Sequence, residues 1–247
     1  MKASMNSPGT FPWTEAQVAK RLHAAVVFYW AGRLGQSDSQ RKRRSVDKGT
    51  RGEVTGGKHL DGVLALMIEI AQAAGYSEEE IKTGAGIDLP GFFRSQKRWD
   101  LVVLREGRLC AAVELKSQVG SFGNNFNNRS EEAIGNSTDF WVAFREGRLG
   151  KATPWLGYFF FLEQTEKSTR PVALKKSVFP PFPVFEGTSY AQRYAILCER
   201  LVLEQKYTRT ALVMSPRGAG PVDPGTGRDL GFYGFLRSFH GHLIGCR

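Results

Sequence analysis

The stretch that decides the fold runs from Trp99 to Lys116, WDLVVLREGRLCAAVELK. It holds two apolar runs, Leu101 to Leu104 and Leu109 to Val113, separated by Glu106 and Gly107, which read as a turn. Strand alternation places Glu114 and Lys116 on one side of the second run, and the turn brings them back towards Asp100 at the head of the first. Two carboxylates and a lysine converging at one sheet end suit a hard cation such as Mg²⁺ beside a phosphate. Oxygen ligands hold the metal while the ammonium faces the anion. The plainer alternative is an exposed salt bridge between Glu114 and Lys116, and such pairs contribute little.

Composition bounds the partner. The 247 residues carry 34 Lys and Arg against 24 Asp and Glu, a net charge of +10, which favours a polyanion over an acidic protein. An apolar content of 41% is enough for a real core, read as one domain over residues 1–247. No run reaches the roughly 18 apolar residues of a membrane span, and Pro8, Pro12 and Glu15 interrupt any signal-peptide core. The expectation is a cytoplasmic protein with no membrane partner. Cys110, Cys198 and Cys246 are odd in number, widely spaced and without a CxxC pair, so they read as free thiols.

Outward from the opening stretch, Thr14 caps a predicted helix with apolar Val18, Leu22, Ala25, Val26 and Tyr29, ending near Gly32 or Gly35. Residues 33–51 carry seven basic and two acidic residues and almost nothing apolar, so they read as mobile in isolation, either a solvated loop or a basic arm that orders on a phosphate backbone. Within it Arg41, Lys42, Arg43, Arg44 and Arg51, with Lys58 just beyond, are the side chains expected to meet a phosphate backbone. A strongly apolar helix follows from about Leu60 to Ala74 and stops at Gly75; its Glu69 reads as a solvent-facing carboxylate. Ser77 starts a helical turn, and Ile87 to Phe93 reads as a loop or edge strand.

Eight residues after Lys116 begins the string from Asn124 to Arg129, which holds four asparagines and an arginine. A helix capped by Asn128 or Ser130 and running to about Phe144 leaves this string in a loop and first turn, within a reading segment of residues 122–145. Asn124, Asn125, Asn127, Asn128 and Arg129 are residue types suited to bidentate contacts with adenine and guanine edges; a turn-rich loop with local side-chain bonds is the alternative. Trp155 to Glu163 reads as a strand buried on both faces, Ser189 to Leu203 as a helix with a solvated basic face that includes Arg193, Thr208 to Met214 as a strand, and Leu230 to Leu243 as a helix with surface His240 and His242.

The D-x(n)-E-x-K spacing of Asp100, Glu114 and Lys116 resembles the core of the PD-(D/E)xK nuclease superfamily. The likeness narrows with Trp99-Asp100-Leu101, Glu114-Leu115-Lys116-Ser117, the string from Phe122 to Arg129, Glu131-Glu132-Ala133, Arg145-Glu146-Gly147, and Ser189-Tyr190-Ala191 with Arg193-Tyr194. Thr55-Gly56-Gly57-Lys58, Asp61-Gly62 and Leu89-Pro90-Gly91-Phe92-Phe93 extend it. Over roughly residues 50–210 the chain resembles the XhoI family of type II restriction endonucleases. That resemblance implies an α/β restriction-endonuclease-like core, a mixed central β-sheet flanked by helices. It also implies Mg²⁺-dependent cleavage of double-stranded DNA at the palindrome CTCGAG, after the first C, to leave 5′ overhangs. A homodimer and a DNA methyltransferase of the same specificity come with it. Asp100 and Glu114 would be metal ligands, and Lys116 would position the attacking water or help to deprotonate it. In the superfamily an N-terminal helix sometimes offers a further acid to the metal, a role that would fall to Glu69 and less so to Glu53.

Departures are local. Trp99 stands where the superfamily has a proline that coordinates nothing. Gln118 replaces a usual histidine, and Ser121 alone precedes Phe122 where a Pro-Ser is usual, which shortens the loop beside the reading segment. A non-catalytic or structure-specific DNA-binding protein on the same fold is the rival, but decayed nucleases tend to lose the charged trio, which is intact here.

Overall fold

The computed structural model describes residues 9–43, 60–84, 86–224 and 228–246, with side chains for all of these except 34–43. Thr14 and Gln17 form a reciprocal cap in which the Thr14 N–H donates to Gln17 Oε1 (2.8 Å) and the Gln17 N–H to Thr14 Oγ1 (3.3 Å). They open α1 (Glu15–Arg43), whose Val18, Leu22, Ala25, Val26, Tyr29 and Trp30 form a buried stripe. The helix runs through Gly32 and Gly35, beyond its expected end, and takes in Arg41 and Arg43 of the expected arm. A glycine costs a helix only about 1 kcal/mol, and the arginines, leucine and glutamines around these two are good helix formers. Arg44, Arg51, Glu53 and Lys58 lie outside the described residues, as do the side chains of Arg41 and Arg43. Next comes α2 (Asp61–Ala73), ending before Gly75 at φ 85°. Its Gly62 meets α1 so closely that a Cβ there would stand 3.0 Å from the Ala25 Cα.

The strands are β1 (Ile81–Thr83), β2 (Asp88–Pro90), β3 (Gln96–Arg98), β4 (Leu101–Arg105) and β5 (Arg108–Gln118). They are followed by α3 (Phe122–Arg145), β6 (Trp155–Glu163), the one-turn α4 (Glu166–Thr169), α5 (Tyr190–Leu203), β7 (Arg209–Ser215) and α6 (Phe232–Gly245). One sheet has the order β1-β4-β5-β6-β7, while β2 and β3 pair only with each other. β1, β4 and β5 are antiparallel neighbours; β5, β6 and β7 are parallel. This is the mixed central sheet flanked by helices that the resemblance implies. The β4–β5 turn has both Glu106 (φ 51°) and Gly107 (φ 74°) left-handed, the combination that matches the twist of a two-residue hairpin.

Alternation along the strands divides the core into two. Val113, Leu115, Phe159, Phe161, Ala211 and Val213 face α1, α2 and α6. Ala112, Tyr158, Phe160, Leu162, Leu212 and Met214 face α3 and α5. Every residue of β6 is buried, as its aromatic run predicts. Glu114 and Lys116 share the parity of Ala112, so they belong to the α3–α5 side.

Three expectations need correction. α3 begins at Phe122, so Asn124 to Arg129 occupy its first two turns and not a loop. Phe122 and Phe126 pack against Tyr190 and Tyr194 of α5, and that packing overrides the poor helix propensity of asparagine. His240 is buried (3% exposed), because its spacing from Leu236 and Leu243 puts it on the apolar stripe of α6; His242 is half-buried. Arg193 is engaged and not merely solvated: it donates to Thr188 Oγ1 (3.1 Å) and to the Val172 carbonyl (2.9 Å). The three cysteines are free thiols, as expected.

Candidate active site

The β4–β5 ladder ends at Leu101 on one strand, while β5 continues to Gln118 on the other. Asp100 takes over where the ladder stops. Its N–H donates to the Val113 carbonyl (3.1 Å), and its carboxylate accepts the Leu115 N–H at Oδ2 (2.7 Å). Trp99 sinks into the core (2% exposed) edge-on to Phe140 of α3, ring centroids 5.4 Å apart, and so anchors the corner from which Asp100 projects.

Glu114 is almost fully buried (1% exposed), and each of its oxygens meets a different lysine. Lys116 Nζ contacts Oε1, and Lys97 Nζ contacts Oε2 at 2.5 Å. Lys97 is the residue that the sequence reading missed. It comes from β3, donates also to the Arg98 carbonyl (2.7 Å), and lies over the Trp99 ring at 4.2 Å. The four charges, two of each sign, balance. Burial pushes the Glu114 carboxyl up, but Lys116 and Lys97 outweigh it and hold the group below its ordinary value. For Lys116, burial is outweighed by Glu114 and the ammonium is held above its usual value; for Lys97 burial wins and the value falls.

Asp100 is pushed up to about 6, by burial first and then by the Glu114 charge, against the Leu115 N–H and the two lysines. An unfolded aspartate titrates near pH 4, so between about pH 4 and 6 the folded protein holds a proton that the unfolded chain has lost. Stability from this group therefore falls as pH rises through that window, and the full penalty applies above it. Asp100→Asn keeps an acceptor for Leu115 and removes the charge. It is expected to stabilise the metal-free protein by about 1–3 kcal/mol at pH 8, a gain that vanishes near pH 4. Thermal melts in chelator at the two pH values check this; an unchanged or lower midpoint at pH 8 would refute it.

α3 flanks the site. Asn124, Asn127 and Asn128 are exposed on it, and Asn125 and Arg129 are half-buried. Arg129 Nη1 is ion-paired to Glu132 (2.6 Å), and Glu132 in turn acts on Lys116. The helix start, at Ser121 to Asn124, lines a cavity of about 560 Å³ together with Lys167, Arg170 and Tyr190. Further along, Asp139 clamps the β2–β3 turn: Oδ1 accepts the N–H groups of Phe92 (2.5 Å) and Phe93 (2.8 Å), and Oδ2 accepts Arg94 Nε (2.7 Å). Arg94 also reaches Asn136 Oδ1 (2.6 Å). The ribbon that delivers Lys97 is thus tied to the helix that carries the asparagine string. Glu69 is elsewhere: it lies on α2, across the sheet, in an ion pair with Arg21 (2.9 Å).

Asp100 and Glu114 offer a hard cation two clustered carboxylates. Among the described residues no group of three or more His, Cys, Asp or Glu is placed to hold a metal. Two carboxylates fit a hard cation that keeps water and phosphate in its remaining positions, as Mg²⁺ does. No helix of the described residues is long and apolar enough to cross a membrane.

The chain matches the family model described as restriction endonuclease XhoI over residues 39–224. It is 44% identical over 206 residues to the type II restriction enzyme BstVI of Geobacillus stearothermophilus, covering 80% of this chain and 92% of that enzyme. It is 40% identical over 205 residues to the type II restriction enzyme XhoI of Xanthomonas vasicola, covering 81% and 82% respectively. To the type II restriction enzyme AbrI of Azospirillum brasilense it is 41% identical over 158 residues, covering 63% and 71%. No solved structure matches. The charged corner at Asp100, Glu114 and Lys116 and the helix beginning at Phe122 both lie inside the matched span, and the chain belongs to the XhoI family of type II restriction endonucleases.

Proposed function

We propose that the chain is a Mg²⁺-dependent endonuclease that hydrolyses both strands of double-stranded DNA at the palindrome CTCGAG, after the first C, leaving 5′ overhangs. It acts as a homodimer of single-domain subunits in the cytoplasm, beside a methyltransferase of the same specificity. The observation that carries this reading is the convergence of Asp100, Glu114 and Lys116 at the open end of the β4–β5 ladder, next to the exposed asparagines of α3. Membership of the family supports the substrate and the reaction class. A palindrome read by identical subunits requires two-fold symmetry, which supports the dimer.

In this mechanism Asp100 and Glu114 hold the cation. When bound, Mg²⁺ supplies charge neutralisation at the scissile phosphate and acidifies the attacking water. Lys116 Nζ, fixed by Glu114 and held above its usual pKa, keeps its proton and orients water and phosphate as a cation. Glu114, buried and held ionised, is ready for metal at neutral pH without losing a proton. Asn124, Asn125, Asn127, Asn128 and Arg129 read base edges from the first turns of α3, while Arg41, Arg43, Arg44, Arg51 and Lys58 engage phosphates.

A digest of a mapped plasmid with Mg²⁺, followed by sequencing of the ends, tests the cleavage; absence of discrete fragments would overturn it. Arg129→Ala is expected to weaken cognate binding by about 1–3 kcal/mol and to relax discrimination against one-base-altered duplexes. Unchanged discrimination would remove Arg129 from the reading set. Substitutions at Arg43 or Arg44 should instead weaken all sequences alike and reduce the salt dependence of binding.

A further inference from the structure

Lys97 stands where an incoming cation must act. Its ammonium occupies Glu114 Oε2 at 2.5 Å, the oxygen opposite the one Lys116 holds, and a metal shared by Asp100 and Glu114 needs that carboxylate uncovered. The other partners of Lys97, the Arg98 carbonyl and the Trp99 ring, belong to its own segment. Its strand pairs only with β2 and has no ladder bond to the main sheet. Lys116, by contrast, is built into the main sheet on β5, where it stands opposite Phe160 of β6. The lysine on the separate ribbon is therefore the one that can give up Glu114 without breaking the sheet.

We propose that Lys97 is a two-partner residue: it occupies Glu114 while the protein is free of DNA and transfers to the scissile phosphate when the duplex arrives, which opens the carboxylate to the metal. This rests on the nuclease reading above. The exchange leaves neither group unpaired, because the phosphate gives Lys97 a new anionic partner and the metal takes the place of the ammonium at Glu114. Metal and DNA then bind with positive coupling, and each must tighten the other by the same factor.

The test measures Mn²⁺ affinity by calorimetry or electron paramagnetic resonance. Each protein is titrated alone and with a cognate duplex carrying a phosphoramidate linkage, resistant to cleavage, at the scissile position. Lys97→Met keeps an unbranched side chain of similar length and removes the ammonium; Lys97→Gln is the second variant. In both, Mn²⁺ affinity without DNA is expected to rise roughly tenfold, and the ratio of affinities with and without DNA to shrink by a similar factor. Simple loss of a nearby positive charge would raise affinity equally in both conditions and leave the ratio unchanged, and that result overturns the proposal. Glu114→Gln separates the two readings. If it leaves Mn²⁺ affinity intact, the metal site itself is wrong and Lys97 falls with it. If it abolishes binding while Lys97→Met leaves the ratio unchanged, only the role of Lys97 is lost.

Discussion

Glu114→Gln is expected to give a folded protein that binds its DNA and does not cut it, with single-turnover cleavage reduced roughly 10³-fold or more. Glutamine keeps the shape of the side chain and one acceptor oxygen, so the strand and its packing survive. It loses the charge that both lysines pair with and that the proposed cation would need. Both variants leave Lys97 and Lys116 without their carboxylate in a mostly buried corner, but glutamine still offers an acceptor oxygen to one of the two ammonium groups and alanine offers none. Removing one partner of such a pair costs about 3–5 kcal/mol, so the alanine variant should melt earlier as well as fail to cut. The contrast separates chemistry from stability. Cleavage rates, band shifts on cognate duplex and thermal melts for the two variants check it; a Glu114→Gln protein of wild-type activity would overturn the active-site assignment.

How much of this was legible in the sequence depends on whether the signal was local. The hairpin was legible because its two apolar runs, its Glu106-Gly107 turn and the parity of Glu114 and Lys116 all lie within one stretch. The Thr14 cap and the helix start at Ser189 were legible for the same reason. The start of α3 was not. Ser121 takes a left-handed conformation (φ 46°) and caps nothing with its side chain, and the helix passes through four asparagines on the strength of ring contacts to α5, more than 60 residues away. β1 was hidden as well: three residues at a sheet edge, following three glutamates, carry no alternation worth reading.

Lys97 shows the limit most clearly. It lies 17 residues from Glu114 and three from Asp100, and a lysine in a basic stretch normally reads as solvated. What brings it to the carboxylate is that β3 pairs backwards with β2 and the chain then turns at Trp99 and Asp100 before entering β4. No spacing rule anticipates that turn. His240 is the opposite case: its helical spacing from Leu236 and Leu243 was present in the sequence, and the residue type misled where the periodicity would not have.

The ribbon that carries Lys97 has its own fastening, and Asp139→Ala is the second substitution with a large expected effect. One carboxylate accepts two backbone N–H groups and the Arg94 guanidinium, and alanine leaves all three without that acceptor. Loss of stability by about 2–4 kcal/mol follows, or roughly 5–15 °C in thermal midpoint. Asp139→Asn should recover only part, because its amide group offers donors where the turn also offers donors. Burial alone would raise the Asp139 pKa, but the Phe93 N–H, Arg94 and the Phe92 N–H together hold it below its ordinary value. Its stabilisation is therefore present above about pH 4 and is lost as pH falls through the depressed value, so the gap between wild type and Asp139→Asn should close on acidification. Gly91 closes the argument from the other side. A Cβ there would lie 2.3 Å from Asp139 Oδ2 and 2.7 Å from the Arg94 carbonyl, so Gly91→Ala must push the turn off its clamp. Both variants should then lose cleavage along with stability, since the ribbon they release is the one that brings Lys97 to Glu114. Cleavage assays of Asp139→Ala and Gly91→Ala at pH 7, and melts of these and of Asp139→Asn from pH 7 down to about pH 2, decide it; wild-type stability and wild-type cutting in Asp139→Ala or Gly91→Ala would show that the clamp holds nothing the enzyme needs.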